Sequence, residues 1–139
     1  MRTEYEAWHS PVTGQRMEIK AYGWAGKPVL VFPTSGGSFH EYEDFGMIGA
    51  IEPFIDEGRV CVFAVDSLDG QSWLNGSARP GEKVGRHEAY ERYIVGEVMP
   101  FIEERLGEGV KALATGCSLG AYHAANFFFR HPDLFDAVI

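Results

Sequence analysis

Two cysteines among 139 residues, Cys61 in an apolar run and Cys117 after a glycine, are too few for a disulfide framework and have no spacing that would build a zinc site. Both are expected to be reduced. Lys and Arg number 12 against 20 Asp and Glu, a formal net charge of -8. The clustered cations that bind a phosphate backbone are therefore missing, which excludes nucleic acid as a partner. Acidity of this size reads simply as solubility. No apolar run approaches the roughly 20 residues that span a bilayer. The start, Met1-Arg2-Thr3-Glu4-Tyr5-Glu6, has no apolar core of the signal-peptide kind. No membrane partner and a cytoplasmic location are the default expectations. Internal repeats and low-complexity segments are also absent.

What is present is one domain's length with 45% hydrophobic residues, enough for a core. Thr3 to His9 and Arg16 to Trp24 read as two strands around the turn-rich Ser10 to Gln15, with Met17, Ile19 and Ala21 alternating against polar neighbours. Pro28 to Pro33 is a continuous apolar run, the mark of a strand covered on both faces. Phe45, Ile48, Ile51 and Ile55 recur at helical spacing and predict a helix ending near Gly58. Arg59 to Val65 predicts the next buried strand. Asp66 to Gly85, rich in Gly and Pro, reads as a long functional loop or lid. His87 to Leu106 predicts a helix with an irregular turn at Pro100, Val110 to Thr115 a strand, Leu119 to Arg130 a very apolar helix, and Asp136 to Ile139 a last strand. The order describes an α/β fold: a mostly parallel sheet with right-handed crossovers and an antiparallel N-terminal hairpin.

Gly116-Cys117-Ser118-Leu119-Gly120 falls where a strand runs directly into a helix. In a G-x-S-x-G elbow the serine occupies a strained turn, and small flanking residues let strand and helix approach without a Cβ clash. Ser118 is thus a candidate catalytic nucleophile. Developing negative charge on an attacked carbonyl oxygen needs preorganised N–H donors. The residue after the nucleophile, Leu119, supplies one. The glycine-rich Pro33-Thr34-Ser35-Gly36-Gly37-Ser38, after the strand of Val29 to Phe32, is the expected place for another, with Gly37 first and Gly36 next. Cys117 reads as a small buried filler, Phe127-Phe128-Phe129 as core or interface packing, and Asp66 as a brace for the following loop.

Phe32-Pro33-Thr34-Ser35-Gly36-Gly37, Val65-Asp66-Ser67, Glu88 to Tyr93 with Glu97 to Pro100, Thr115 to Ala121, and His131-Pro132-Asp133-Leu134-Phe135 together carry a family resemblance over nearly the whole chain. The sequence resembles the N-terminal part of a single α/β-hydrolase domain, residues 1–139. The family is the esterase family that also contains the S-formylglutathione hydrolases and mycolyltransferase-like enzymes. The resemblance implies a truncated α/β-hydrolase sheet and an acyl-enzyme on Ser118 formed from a small-molecule carboxylic ester or thioester. It requires no cofactor and no metal. It also implies a triad acid and histidine downstream of the elbow, in the order Ser, Asp, His. After Ser118 the sequence offers only His123, His131, Asp133 and Asp136. His123, five residues along the same helix, is expected to point away from the serine. The missing groups are then expected from a complementary C-terminal segment or a second protomer, and a lone monomer is not expected to persist. His40 and Trp73 are candidate substrate contacts, in loops that can border the site; His87, Arg79 and Arg86 lie in similar places. The alternative is a catalytically silent half-hydrolase that serves as a folding or association module.

Overall fold

The computed structural model describes residues 1–139. Strands β1 (Thr3–Ser10) and β2 (Gln15–Tyr22) pair antiparallel from Thr3 opposite Tyr22 to Ser10 opposite Gln15. Their turn is closed by Gly14 N–H on Ser10 O at 2.8 Å, with Gly14 at φ +72°. The alternation in β2 buries Met17, Ile19 and Ala21. β3 (Lys27–Phe32), β4 (Val60–Val65), β5 (Ala112–Gly116) and β6 (Phe135–Val138) add parallel strands, giving the order β1-β2-β4-β3-β5-β6. β2 joins β4 antiparallel. The topology is the expected α/β-hydrolase-type mixed sheet, with its apolar central strands covered on both faces.

The helices divide unequally between those faces. Leu30, Phe32, Phe63, Ala112, Ala114 and Phe135 face a 20-residue core, closed by α3 (Pro80–Tyr93), α4 (Met99–Leu106) and α5 (Leu119–Arg130). The opposite face holds a six-residue core of Tyr22, Val31, Ile48, Ile55, Val62 and Ala64 under α2 (Met47–Asp56). A short α1 (Glu41–Asp44) precedes α2.

Several boundaries differ from the sequence reading. The helix expected at His87 begins at Pro80, because proline at the first helical position forgoes an N–H that would have had no partner and Arg79 is already extended at φ -71°, ψ 155°. The connection after β4 is accordingly 66–79, with one 3₁₀ turn at Asp69–Gln71. The irregularity near Pro100 is a π-helical turn, Ile94–Val98, just ahead of a proline that cannot donate back into it. Phe45 does not join the α2 stripe: Gly46 at φ +84° separates α1 from α2 and leaves Phe45 84% exposed. No helix is long and apolar enough to cross a membrane.

Candidate active site

β5 ends at Gly116 and α5 starts at Leu119, so Cys117 and Ser118 make the whole turn. Ser118 lies at φ 57°, ψ -124°, and is the only non-glycine residue with positive φ. Such a conformation costs an L-residue energy and persists only where the surroundings impose it. Here they do. A Cβ on Gly116 would lie 2.6 Å from Gly120 C and 2.7 Å from Phe32 O; one on Gly120 would lie 2.4 Å from Phe32 O and 2.7 Å from Pro33 O. Two glycines thus let α5 pass against the end of β3, and that approach sets the serine at the apex. Ser118 is exposed, and no hydrogen bond engages its hydroxyl. The N–H of Leu119 opens the 12-residue α5, where the helix dipole favours negative charge.

The glycine loop after β3 is built around a turn. Gly37 N–H, the expected second oxyanion donor, instead closes this turn onto Thr34 O at 2.9 Å, while Gly36 occupies φ +71°. The N–H of Gly36 makes no such bond. Glu41 of α1 accepts from Thr34 N–H and, at 2.8 Å, from Thr34 Oγ1. A Cβ on Gly37 would strike this carboxylate. Asp66 accepts from Phe39 N–H at 3.0 Å and Glu18 N–H at 3.2 Å, so it braces the loop to β2. Burial raises the Asp66 carboxyl pKa above the usual value, against the lowering by the Phe39 N–H.

A cavity of about 410 Å³ opens beside the elbow, between Tyr42, Phe45 and Met47 on one side and Thr115, Cys117 and Ile139 on the other. Cys117 is therefore exposed and lines this cavity; it is not the buried filler expected. Cys61 is the buried thiol, its pKa pushed up to about 11 by burial.

Three of the five histidines are paired with carboxylates. His40, the residue before α1, meets Asp44 Oδ2 through its Nδ1 at 2.5 Å, both side chains more than half exposed. His131 Nε2 lies 2.7 Å from Glu91 Oε1. His123 points inward, and its Nε2 lies 2.7 Å from Asp69 Oδ1 with both side chains almost wholly buried. His87 is also buried, which lowers its pKa, aided by the neighbouring His123. His9 sits on β1, four strands from β5 and so about 19 Å away at ordinary strand spacing. Trp73 is half-buried, its ring 5.0 Å from His87 and 6.5 Å from Tyr122, and with Leu119 and Tyr122 it lines a second hollow next to the elbow. Arg86 is held by Gln71 and Thr13 O. No group of three or more His, Cys, Asp or Glu side chains is placed to hold a metal ion. The Asp69–His123 pair and the Glu41 tether escaped the sequence reading, since neither has a spacing signal.

The family model described as "Putative esterase" matches residues 10–139. No curated protein matches the chain. Among solved structures, an S-formylglutathione hydrolase from Agrobacterium tumefaciens superposes with TM-score 0.74 at 12% identity, over 98% of this chain and 56% of that one. FphF, a fluorophosphonate-binding serine hydrolase of Staphylococcus aureus, gives 0.73 at 17% identity over 99% and 55%. MPT51 (FbpC1) of Mycobacterium tuberculosis gives 0.67 at 17% identity over 97% and 48%. The chain spans about half the length of these neighbours. A strained serine between two sterically required glycines, on a sheet of this order and under a family match that takes in all but the first nine residues, leads to one assignment: the chain belongs to the esterase family and has the α/β-hydrolase fold.

Proposed function

We propose that this chain carries the nucleophile half of a serine esterase acting on a small carboxylic ester or thioester. The observation that carries this reading is Ser118 at φ 57° on the strand-to-helix turn, exposed and unengaged. Its Oγ attacks the acyl carbon while a base takes its proton; the carbonyl electrons move to oxygen, collapse expels the alcohol or thiol, and water then releases the acid. Leu119 N–H meets the oxyanion, and Gly36 N–H is the second donor, with Gly37 holding the turn that presents it. The cavity edged by Cys117 and Met47 gives room for an apolar part of the substrate.

The base and its acid come from outside these residues. His40, His123 and His131 are each paired with a carboxylate, His87 is buried, and His9 is on the far strand. A complementary C-terminal segment or a second protomer fits the structure, because the α2 face of β5 and β6 is bare. Leu113, Thr115 and Ala137 lie on that face by register with Val29 and Val31, and none is fully buried.

The test is p-nitrophenyl acetate turnover beside Ser118→Ala, with mass spectrometry after a fluorophosphonate probe. Turnover and a stoichiometric adduct, both lost in Ser118→Ala, support the reading. Background turnover with no adduct, including when a complementing segment is supplied, sinks it. That outcome favours the second reading, a catalytically silent association module, whose supporting observation is that His40, His123 and His131 are each paired with a carboxylate and His87 is buried.

A further inference from the structure

Asp69 and His123 form a buried acid–histidine pair that the proposed reaction does not use. Asp69 lies on the 3₁₀ turn of the 66–79 connection, and His123 lies 54 residues on, in the second turn of α5. Their side chains are 2% and 1% exposed. With Asp69 as carboxylate, His123 Nε2–H donates to Oδ1. The rings around the pair form one cluster: His87 stacks 5.6 Å from His123 at 28°, Tyr90 lies tilted 5.1 Å from His123, and Trp73 lies tilted 5.0 Å from His87.

Four buried polar atoms of this cluster have no partner: Asp69 Oδ2, His123 Nδ1, His87 Nδ1 and Trp73 Nε1. An apolar cluster of the same shape would be the more stable choice, since each buried unpaired group lowers stability. Local rules of this kind are broken where a function needs the arrangement. The geometry shows what the pair can accomplish. Leu119 and His123 are four apart and share one face of α5. The hollow beside the elbow is walled by Leu119, Tyr122 and Trp73, and Trp73 belongs to the segment that Asp69 ties down.

We propose that the Asp69–His123 hydrogen bond is a positioning clasp, which pins the 66–79 segment to α5 and thereby fixes the Trp73 wall and the Leu119 N–H beside the nucleophile. Its catalytic consequence rests on the reading of Ser118 as nucleophile; its structural content does not.

The experiment is amide hydrogen exchange on the full chain, comparing Asp69→Ala, His123→Leu and the conservative Asp69→Asn, whose Oδ1 can still accept. The first two variants are expected to exchange about tenfold faster across 66–79 and 117–123, with β2 and β3 unchanged. Asp69→Asn is expected to return to the original pattern. Fluorophosphonate labelling of Ser118, with the complementing segment supplied to each sample, is expected to slow about tenfold in Asp69→Ala and to recover in Asp69→Asn. No rise in exchange, a rise spread equally through β2 and β3, or failure of the Asn variant to rescue would overturn the clasp. Loosened exchange with labelling at the unaltered rate would overturn its positioning role. If the unaltered chain never labels even with a complementing segment supplied, the nucleophile reading falls, and the exchange data still decide whether the clasp exists.

Discussion

At the residue scale the elbow is a case of strain held by contact. Ser118 keeps a backbone conformation that glycine would adopt freely. Ser118→Gly is therefore expected to raise stability by about 1 kcal/mol or more in urea denaturation, whereas Ser118→Ala, which retains a Cβ, does not. Equal midpoints for the two variants would show that the turn stores no strain. The opposite sign applies to Gly120→Ala, whose Cβ meets backbone oxygens of Phe32 and Pro33. A loss of about 1–3 kcal/mol is expected, because backbone atoms yield less readily than a side-chain tip. The thiols separate in the same way. Iodoacetamide is expected to modify exposed Cys117 in the folded chain and to spare Cys61, whose burial also raises its pKa. Peptide mass mapping that finds both labelled would contradict this packing.

At the scale of elements, the connection after β4 and the face of α3 beneath it set a pH dependence. His87 of α3 faces His123 and Asp69, with Glu91 and Arg130 also acting on it, and burial lowers its pKa below the ordinary 6.5. The unfolded chain then binds more protons than the folded one in the window just below 6.5, so the His87 contribution falls on acidification through that window. Asp66 works with the opposite sign. Its pKa is raised above 3.8, so its contribution is fully present below 3.8 and is lost as pH rises through the folded value. Thermal unfolding between pH 7.5 and 5.5 is expected to show a falling midpoint that His87→Phe flattens. A slope unchanged by that substitution would assign the dependence elsewhere.

The same elements show what the sequence could disclose. Apolar runs located β3 and β4 because a strand covered on both faces admits little else, and Leu119 to Arg130 was legible to the residue. Pro80, Gly81 and Gly85 read as loop punctuation, yet proline at a first helical position starts a helix, so the connection is six residues shorter than its composition suggests. The elbow was legible because its chemistry is local, five residues in a strand-to-helix context. The Asp69–His123 pair was not, since nothing in a spacing of 54 residues signals a hydrogen bond, and only the crossover through α3 and α4 brings the two segments together.

At the scale of the whole molecule, the unequal cover of the sheet becomes a statement about association. One face carries three helices and a 20-residue core; the other has α2 over β2, β3 and β4, and open surface over β5 and β6. Around that opening Ile139 is 81% exposed, Phe45 84% and Met47 42%. The far edge of β6 carries no paired strand. Isolated exposed side chains are common, but under the proposed function the apolar cavity and the bare sheet face beside it would receive another chain or segment. Sedimentation velocity over a hundredfold concentration range is thus expected to show association, reduced by Ile139→Lys together with Phe45→Lys. Those substitutions touch neither Ser118 nor its glycines, so circular dichroism of the double variant is expected to keep the helix and sheet content. A monomer at every concentration, with no complementing segment bound, would mean that the bare face is tolerated, and the external source of the histidine and acid would lose its structural support.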